Sequence, residues 1–139
     1  MKVNITDSKK DFIEGCVNLD IANYDAKFFE EVPQSSCELL IINECLGCLS
    51  YEESVKALQD SIIRIAKGGK ISLALIDFES ISVSFTNGSM NSESVSEILK
   101  AYKSVLNVYE VKEILTKGSI NIVQAERKNN LLLINGIKA

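Results

Sequence analysis

Short β-rich apolar runs alternate along the chain with longer stretches whose apolar residues recur at three- and four-residue spacing, the signature of βα units around a largely parallel sheet. Val3-Asn4-Ile5 predicts a short first strand closed by the polar run Thr6 to Lys10, and Cys16-Val17-Asn18-Leu19-Asp20 predicts a second that ends in an acid. Lys27 to Val32 predicts a third strand, stopped by Pro33, the only proline. Leu39-Leu40-Ile41-Ile42 is a continuous apolar run bounded by polar residues, as suits a central strand buried on both faces. Ser50 and Glu53 then fit a capping box, and Val55, Leu58, Ile62, Ile65 and Ala66 share one helical face, giving a helix over residues 51–67 that Gly68-Gly69 ends. Lys70 to Ile76 resumes as a buried strand.

Residues 79–90 have no period and contain the turn dipeptide Asn87-Gly88, so they read as a loop or a short extra element. Val95, Ile98, Leu99, Tyr102, Val105 and Leu106 mark a second amphipathic helix, capped by Asn91, Ser92 or Ser94. Val108 to Leu115 and Ser119 to Glu126 read as strands joined at Lys117-Gly118, a gap short enough for an antiparallel hairpin. After the charged stop Glu126-Arg127-Lys128, four large aliphatic residues follow one another from Leu131 to Ile134. The expected division is a domain over residues 1–128 and an apolar C-terminal tail over 129–139. That tail either packs on its own sheet or forms a homo-oligomer or larger protein assembly through Leu131 to Ile137.

A length of 139 residues suits one compact domain, and 46% hydrophobic with 24% charged residues suits a folded globular chain. The net charge of -4 carries no basic footprint, which excludes a nucleic-acid binder of the usual kind. No apolar stretch approaches the roughly 20 residues of a membrane helix, and the start of the chain is too polar for a signal peptide, so the expectation is a soluble, unexported, cytoplasmic protein with reduced cysteines. Histidine is absent, which removes Ser-His-Asp and Cys-His nucleophiles and any His-ligated metal. A general base must then be Asp, Glu, Lys, Tyr or Cys with a shifted pKa.

Three segments resemble the class I S-adenosylmethionine-dependent methyltransferases, in particular short members that act on sugars and small acceptors. Val3-Asn4-Ile5 followed by Glu14-Gly15-Cys16-Val17-Asn18-Leu19-Asp20 is similar to the family's opening strand, loop and "G-x-x-N-x-D" second strand. Ser36-Cys37-Glu38-Leu39-Leu40-Ile41 resembles its "S-F-D-L-I" strand, with Glu38 in place of Asp, and Arg64 to Ile71 resembles its "R-x-L-K-P-G-G" turn without the proline. The resemblance covers Lys2 to Lys128 and implies a Rossmann-like, three-layer α/β sandwich whose mostly parallel sheet ends in an antiparallel hairpin. It also implies S-adenosylmethionine as cofactor if the protein is active. Asp20 would then hold the ribose, Thr6, Asp7 and Ser8 would line the methionine end, Glu30 or Glu31 would sit near adenine, and Glu44 would face the acceptor as the catalytic candidate.

Two departures fall on functional loops. The family's glycine-rich "G-x-G" after the first strand is replaced by Thr6-Asp7-Ser8, and β-branched threonine resists the positive φ that such a loop uses. The family's "L-E-H" after the fourth strand is replaced by Leu46-Gly47-Cys48. The expected function is therefore a degenerate, non-catalytic methyltransferase-like domain serving as a structural or assembly subunit. An active methyltransferase for a small-molecule or sugar-type acceptor is the alternative.

The remaining candidates are weaker. Cys45-Leu46-Gly47-Cys48 with Cys16 and Cys37 has the number of thiols for a zinc site, but packed thiols account for the pattern, and no metal is expected. Asp77 falls at a strand's carboxyl end beside Asp20 and Glu44 in the pattern, where acids also sit because the chain is entering solvent. Tyr24 and Tyr51 could flank a ring-shaped ligand or stand as rim residues.

Overall fold

The computed structural model describes residues 1–139. Strands β1 (Lys2–Thr6), β2 (Val17–Asp20), β3 (Cys37–Ile42) and β4 (Ile65–Ile76) run parallel, and β5 (Ile120–Lys128) and β6 (Leu131–Lys138) close the sheet as an antiparallel hairpin in the order β2-β1-β3-β4-β6-β5. A mostly parallel α/β sheet ending in a hairpin is the expected architecture. The hairpin itself is built from other segments.

Residues 108–115, expected as a strand, form most of a helix. In α4 (Val108–Lys117) the Asn107 side chain caps the first turn by accepting from the Glu110 N–H, and Val111 and Leu115 are fully buried one turn apart. An eight-residue apolar run is ambiguous between strand and helix by period alone, and the Asn107 cap decides it. Residues 131–138, expected as the tail, are β6, hydrogen-bonded to β4 on one edge and to β5 on the other. Asn129 and Asn130, at φ 53° and 63°, make the two-residue turn that joins β5 to β6.

Two further segments differ from the pattern, and residues 79–90, open between a loop and a short element, begin with a helix. Residues 27–32 form turns rather than a strand, and Phe28, Phe29 and Val32 enter the core from them. Residues 78–86 are helix α2 (Phe78–Thr86), capped by Asp77. Helix α3 (Ser92–Ala101), capped by Asn91, ends before Tyr102, which is extended. Helix α1 (Tyr51–Arg64) starts at its Ser50 cap as the pattern requires but passes straight into β4 at Ile65, leaving Gly68 to supply a φ of 78° within a bulged stretch of strand.

The register divides the sheet into two unlike faces. Val3, Ile5, Leu40, Ile42, Ile71 and Leu73 point to one face, where they are buried with Leu58 and Ile62 of α1 and Leu115 of α4 in a single core. On the other face Leu39, Ile41, Ala74, Ile76, Leu131 and Leu133 are only half-buried. No helix seals these strands, because residues 7–16, which carry the chain from β1 to β2, contain a single 3-10 turn (Lys9–Asp11) where such crossovers usually hold an α-helix. No helix of the protein is long and apolar enough to cross a membrane.

Candidate functional site

The chain leaves β1, forms β2 on one side of it and then β3 on the other, and in open α/β sheets ligands bind in the crevice at the carboxyl ends where the order reverses in this way. Here that crevice is a cavity of about 390 Å³ lined by Asp7, Asp11, Asn43, Glu44 and Tyr102 over Ala74.

From the cavity wall a ladder of three asparagines runs inward, Asn43 just beyond β3, Asn4 in β1 and Asn18 in β2. Asn4, fully buried in β1, donates its amide to Asn18 Oδ1 and to the Asp11 carbonyl, both at 2.9 Å, and accepts from Asn43 Nδ2 at 3.1 Å. Asn18 in turn accepts from the Ile13 N–H and donates to the Ile13 and Cys16 carbonyls. A buried amide is retained only when its donors and acceptors are satisfied, and these bonds fold the 7–16 connection down over β1. Sequence reasoning missed this ladder because a polar residue in a short strand reads as solvent-facing until the neighbouring strands are known.

Each expected site residue has a definite place. Thr6 is fully buried at the end of β1, and its hydroxyl accepts from the Ser8 N–H at 3.4 Å. The Ser8 hydroxyl accepts from the Lys10 N–H as the cap of the 3-10 turn. Asp7 is exposed in the cleft, with the Cys48 thiol 3.9 Å from its carboxylate. Asp20 ends β2 opposite Thr6 and caps the next 3-10 turn through the Ala22 N–H at 3.0 Å. Glu44 lies half-buried in the cleft. Glu30 and Glu31 are on the exposed surface of the 27–32 turns and do not line the cleft. Tyr24 donates to Asp60 on α1, and burial with that carboxylate pushes its pKa up to about 12. Tyr51 pairs with Glu110 between α1 and α4, so neither tyrosine flanks the cleft. Tyr102 does flank it, and its ring lies where a side chain on Gly47 would be, 2.3 Å from the ideal Cβ position.

The cleft is acidic. Burial first, and the neighbouring Asp7 charge second, raise the Glu44 pKa above the ordinary glutamate range. The folded protein therefore holds the Glu44 proton more tightly than the unfolded chain, so stability falls as pH rises through the interval between the unfolded pKa and the raised folded one. Glu44→Gln is expected to raise the melting temperature at pH 7, with the gain disappearing below about pH 4, near the unperturbed glutamate pKa. Thermal melts across that range check it, and an equal gain at every pH would show that charge is not the cause. Burial and the acids also push the Cys45 and Cys48 thiols up, away from the reactive thiolate. Cys37 lies at the amino end of β3, and Cys45 and Cys48 lie beyond its carboxyl end. The strand between them separates these thiols by more than a single ion's coordination shell.

No family model matches the chain, and no curated protein sequence matches it. Solved structures do. An O-methyltransferase family protein from Burkholderia thailandensis superposes with a TM-score of 0.58 at 9% identity, over 88% of this chain and 35% of its own. A Thermotoga maritima S-adenosylmethionine-dependent methyltransferase superposes with a TM-score of 0.58 at 12% identity, over 100% of this chain and 74% of its own. The N-methyltransferase NodS from Bradyrhizobium japonicum, in complex with S-adenosylhomocysteine, gives 0.50 at 15% identity over 86% and 51%. The fold is that of the S-adenosylmethionine-dependent methyltransferases. The chain spans about a third of the Burkholderia protein's length.

The loop after β1, where the resemblance places the cofactor's methionine end, differs from a glycine-type cradle. Thr6, Asp7 and Ser8 all have negative φ, so the backbone does not make the glycine-type turn. The Ser8 and Lys10 N–H groups that could receive a carboxylate are already taken by Thr6 and Ser8 oxygens. Asp7, Asp11 and Glu44 line the adjoining space, which repels a carboxylate further.

Proposed function

We propose that this chain is a methyltransferase-like domain that does not transfer methyl groups and that serves as a structural or assembly subunit. The observation that carries the reading is the β1 loop, in which a buried Thr6 and a self-capped 3-10 turn stand where the resemblance places a glycine cradle. Methyl transfer is a displacement at a sulfonium that depends on alignment of cofactor and acceptor, so loss of the cradle removes more than loss of any base would. Titration calorimetry with S-adenosylhomocysteine tests it. The expected result is no saturable heat into the millimolar range. Micromolar binding that Asp20→Ala abolishes would overturn the reading.

Two observations favour the second reading, an active methyltransferase with a small-molecule or sugar-type acceptor. Asp20 stands at the carboxyl end of β2, and Glu44 is half-buried with a raised pKa in the cleft at the switch point. Asp20 would then hold the ribose hydroxyls and Glu44 would face the acceptor. Glu30 and Glu31, out on the turns, supply no support for an adenine site.

A further inference from the structure

We propose that the sheet face without helices pairs with the same face of a second copy of this chain, the two copies related by a two-fold axis that lies between the sheets and runs across the strands. The inference names the partner for the assembly reading and rests on that reading for its purpose; the pairing geometry stands on the face itself.

The face is largely apolar over β3, β4 and β6, where a βα fold is ordinarily covered, and over β1 the 7–16 connection lies on it. Leu39 and Ile41 of β3, Ala74 of β4, and Leu131 and Leu133 of β6 are half-buried, and Ile137 is 37% exposed. Their counterparts on the opposite face, Leu40, Ile42, Leu73, Leu132 and Ile134, are 4% exposed or less. At about 4.8 Å between strands and about 3.3 Å per residue, three strands by five residues give roughly 240 Å², close to the few hundred Å² above which an exposed apolar patch signals a contact. Phe12 and Ile13, 40% and 39% exposed on the connection that crosses this face, extend it.

Charge selects the occupant. At the amino end of the face stand Lys2 and Lys70, both exposed and in the same register row through Leu39. At the carboxyl end stand Asp7, Asp11 and Glu44, which outnumber the Lys128 of β5 in register with Leu131, while Lys9 and Lys10 of the same turn do not line the cleft. A second copy laid antiparallel sets the lysines of each chain over the acids of the other, and a parallel copy sets like on like. The middle row, Ile41, Ser72 and Asn135, falls near the axis and meets itself, so its polar side chains can pair across the interface. Aligned packing of two sheets at about 30° is a standard arrangement for such faces.

Sedimentation velocity of the full chain at low salt tests the pairing with three exposed-residue variants, Lys70→Glu, Asp11→Lys and the two combined. The wild type is expected to dimerise, each single variant to weaken the dimer about tenfold or more, and the combined variant to recover most of the loss, because the swapped charges again face opposite signs. Circular dichroism on each variant confirms that the fold is kept. A monomeric wild type overturns the proposal, and so does a dimer that Lys70→Glu leaves unchanged or a combined variant no better than the singles. The S-adenosylhomocysteine titration is read separately, so loss of the non-catalytic reading and loss of the dimer are distinguishable.

Discussion

A chain ending at Asn130 is expected not to fold cooperatively. Residues 131–138 are the strand between β4 and β5, so removing them breaks two hydrogen-bonded ladders and leaves β5 with no partner. Leu132 and Ile134 are 4% and 1% exposed on the helix-covered face, and burying each is worth roughly 1.5–3 kcal/mol. Ile120 of β5, 3% exposed, loses its setting as well. The total is about 5 kcal/mol or more, against a whole-domain stability of about 5–15 kcal/mol. Thermal and urea melts followed by circular dichroism measure it. Leu132→Ala, expected to cost about 2–4 kcal/mol, gives the graded version if the truncated chain cannot be purified. A truncated protein with a sharp native transition would show that β6 is dispensable.

Asp77→Ala is expected to cost about 2–3 kcal/mol. Asp77, 5% exposed at the end of β4, accepts from Arg127 Nη1 at 2.9 and 3.1 Å and caps α2 through the Ser80 N–H. Losing a cap costs about 1 kcal/mol, and losing hydrogen bonds to a charged partner costs about 1.5–3 kcal/mol, discounted here because the Arg127 side chain is 39% exposed and keeps Glu79 at 3.0 Å. The pair joins the start of α2 to β5, two elements far apart in sequence. A double-mutant cycle with Arg127→Ala in urea should show coupling of about 1 kcal/mol or more. A single-variant loss within about 0.5 kcal/mol of zero would mean that this ion pair does not organise the end of β4.

How much of this was legible in the residues varies by element. β1, β2, β3 and α1 declare themselves, because their apolar runs have clear bounds and Ser50 supplies a cap that its neighbours do not contradict. The 108–117 segment does not, since Val108, Val111, Ile114 and Leu115 satisfy a helix while the run as a whole also suits a strand. Of the cleft's lining, Asp7 and Glu44 were singled out from strand ends and resemblance, whereas Asp11, Asn43 and Tyr102 were not, and Thr6 and Asp20 stand beside it without lining it. Tyr102 looked like part of a helical stripe, and only the end of α3 at Ala101 and the bare Cα of Gly47 turn it toward the cleft.

Local patterning by itself determined β1, β2, β3 and the start of α1, with the acids at the strand ends, because periodicity and capping act within a few residues. The tertiary structure alone decided that the last eight-residue strand enters the sheet between β4 and β5, that Asn4, Asn18 and Asn43 satisfy one another, and that one face has no helices. Those outcomes depend on which strand lies beside which, and strand pairing is a contact between residues far apart in the chain that no local spacing encodes.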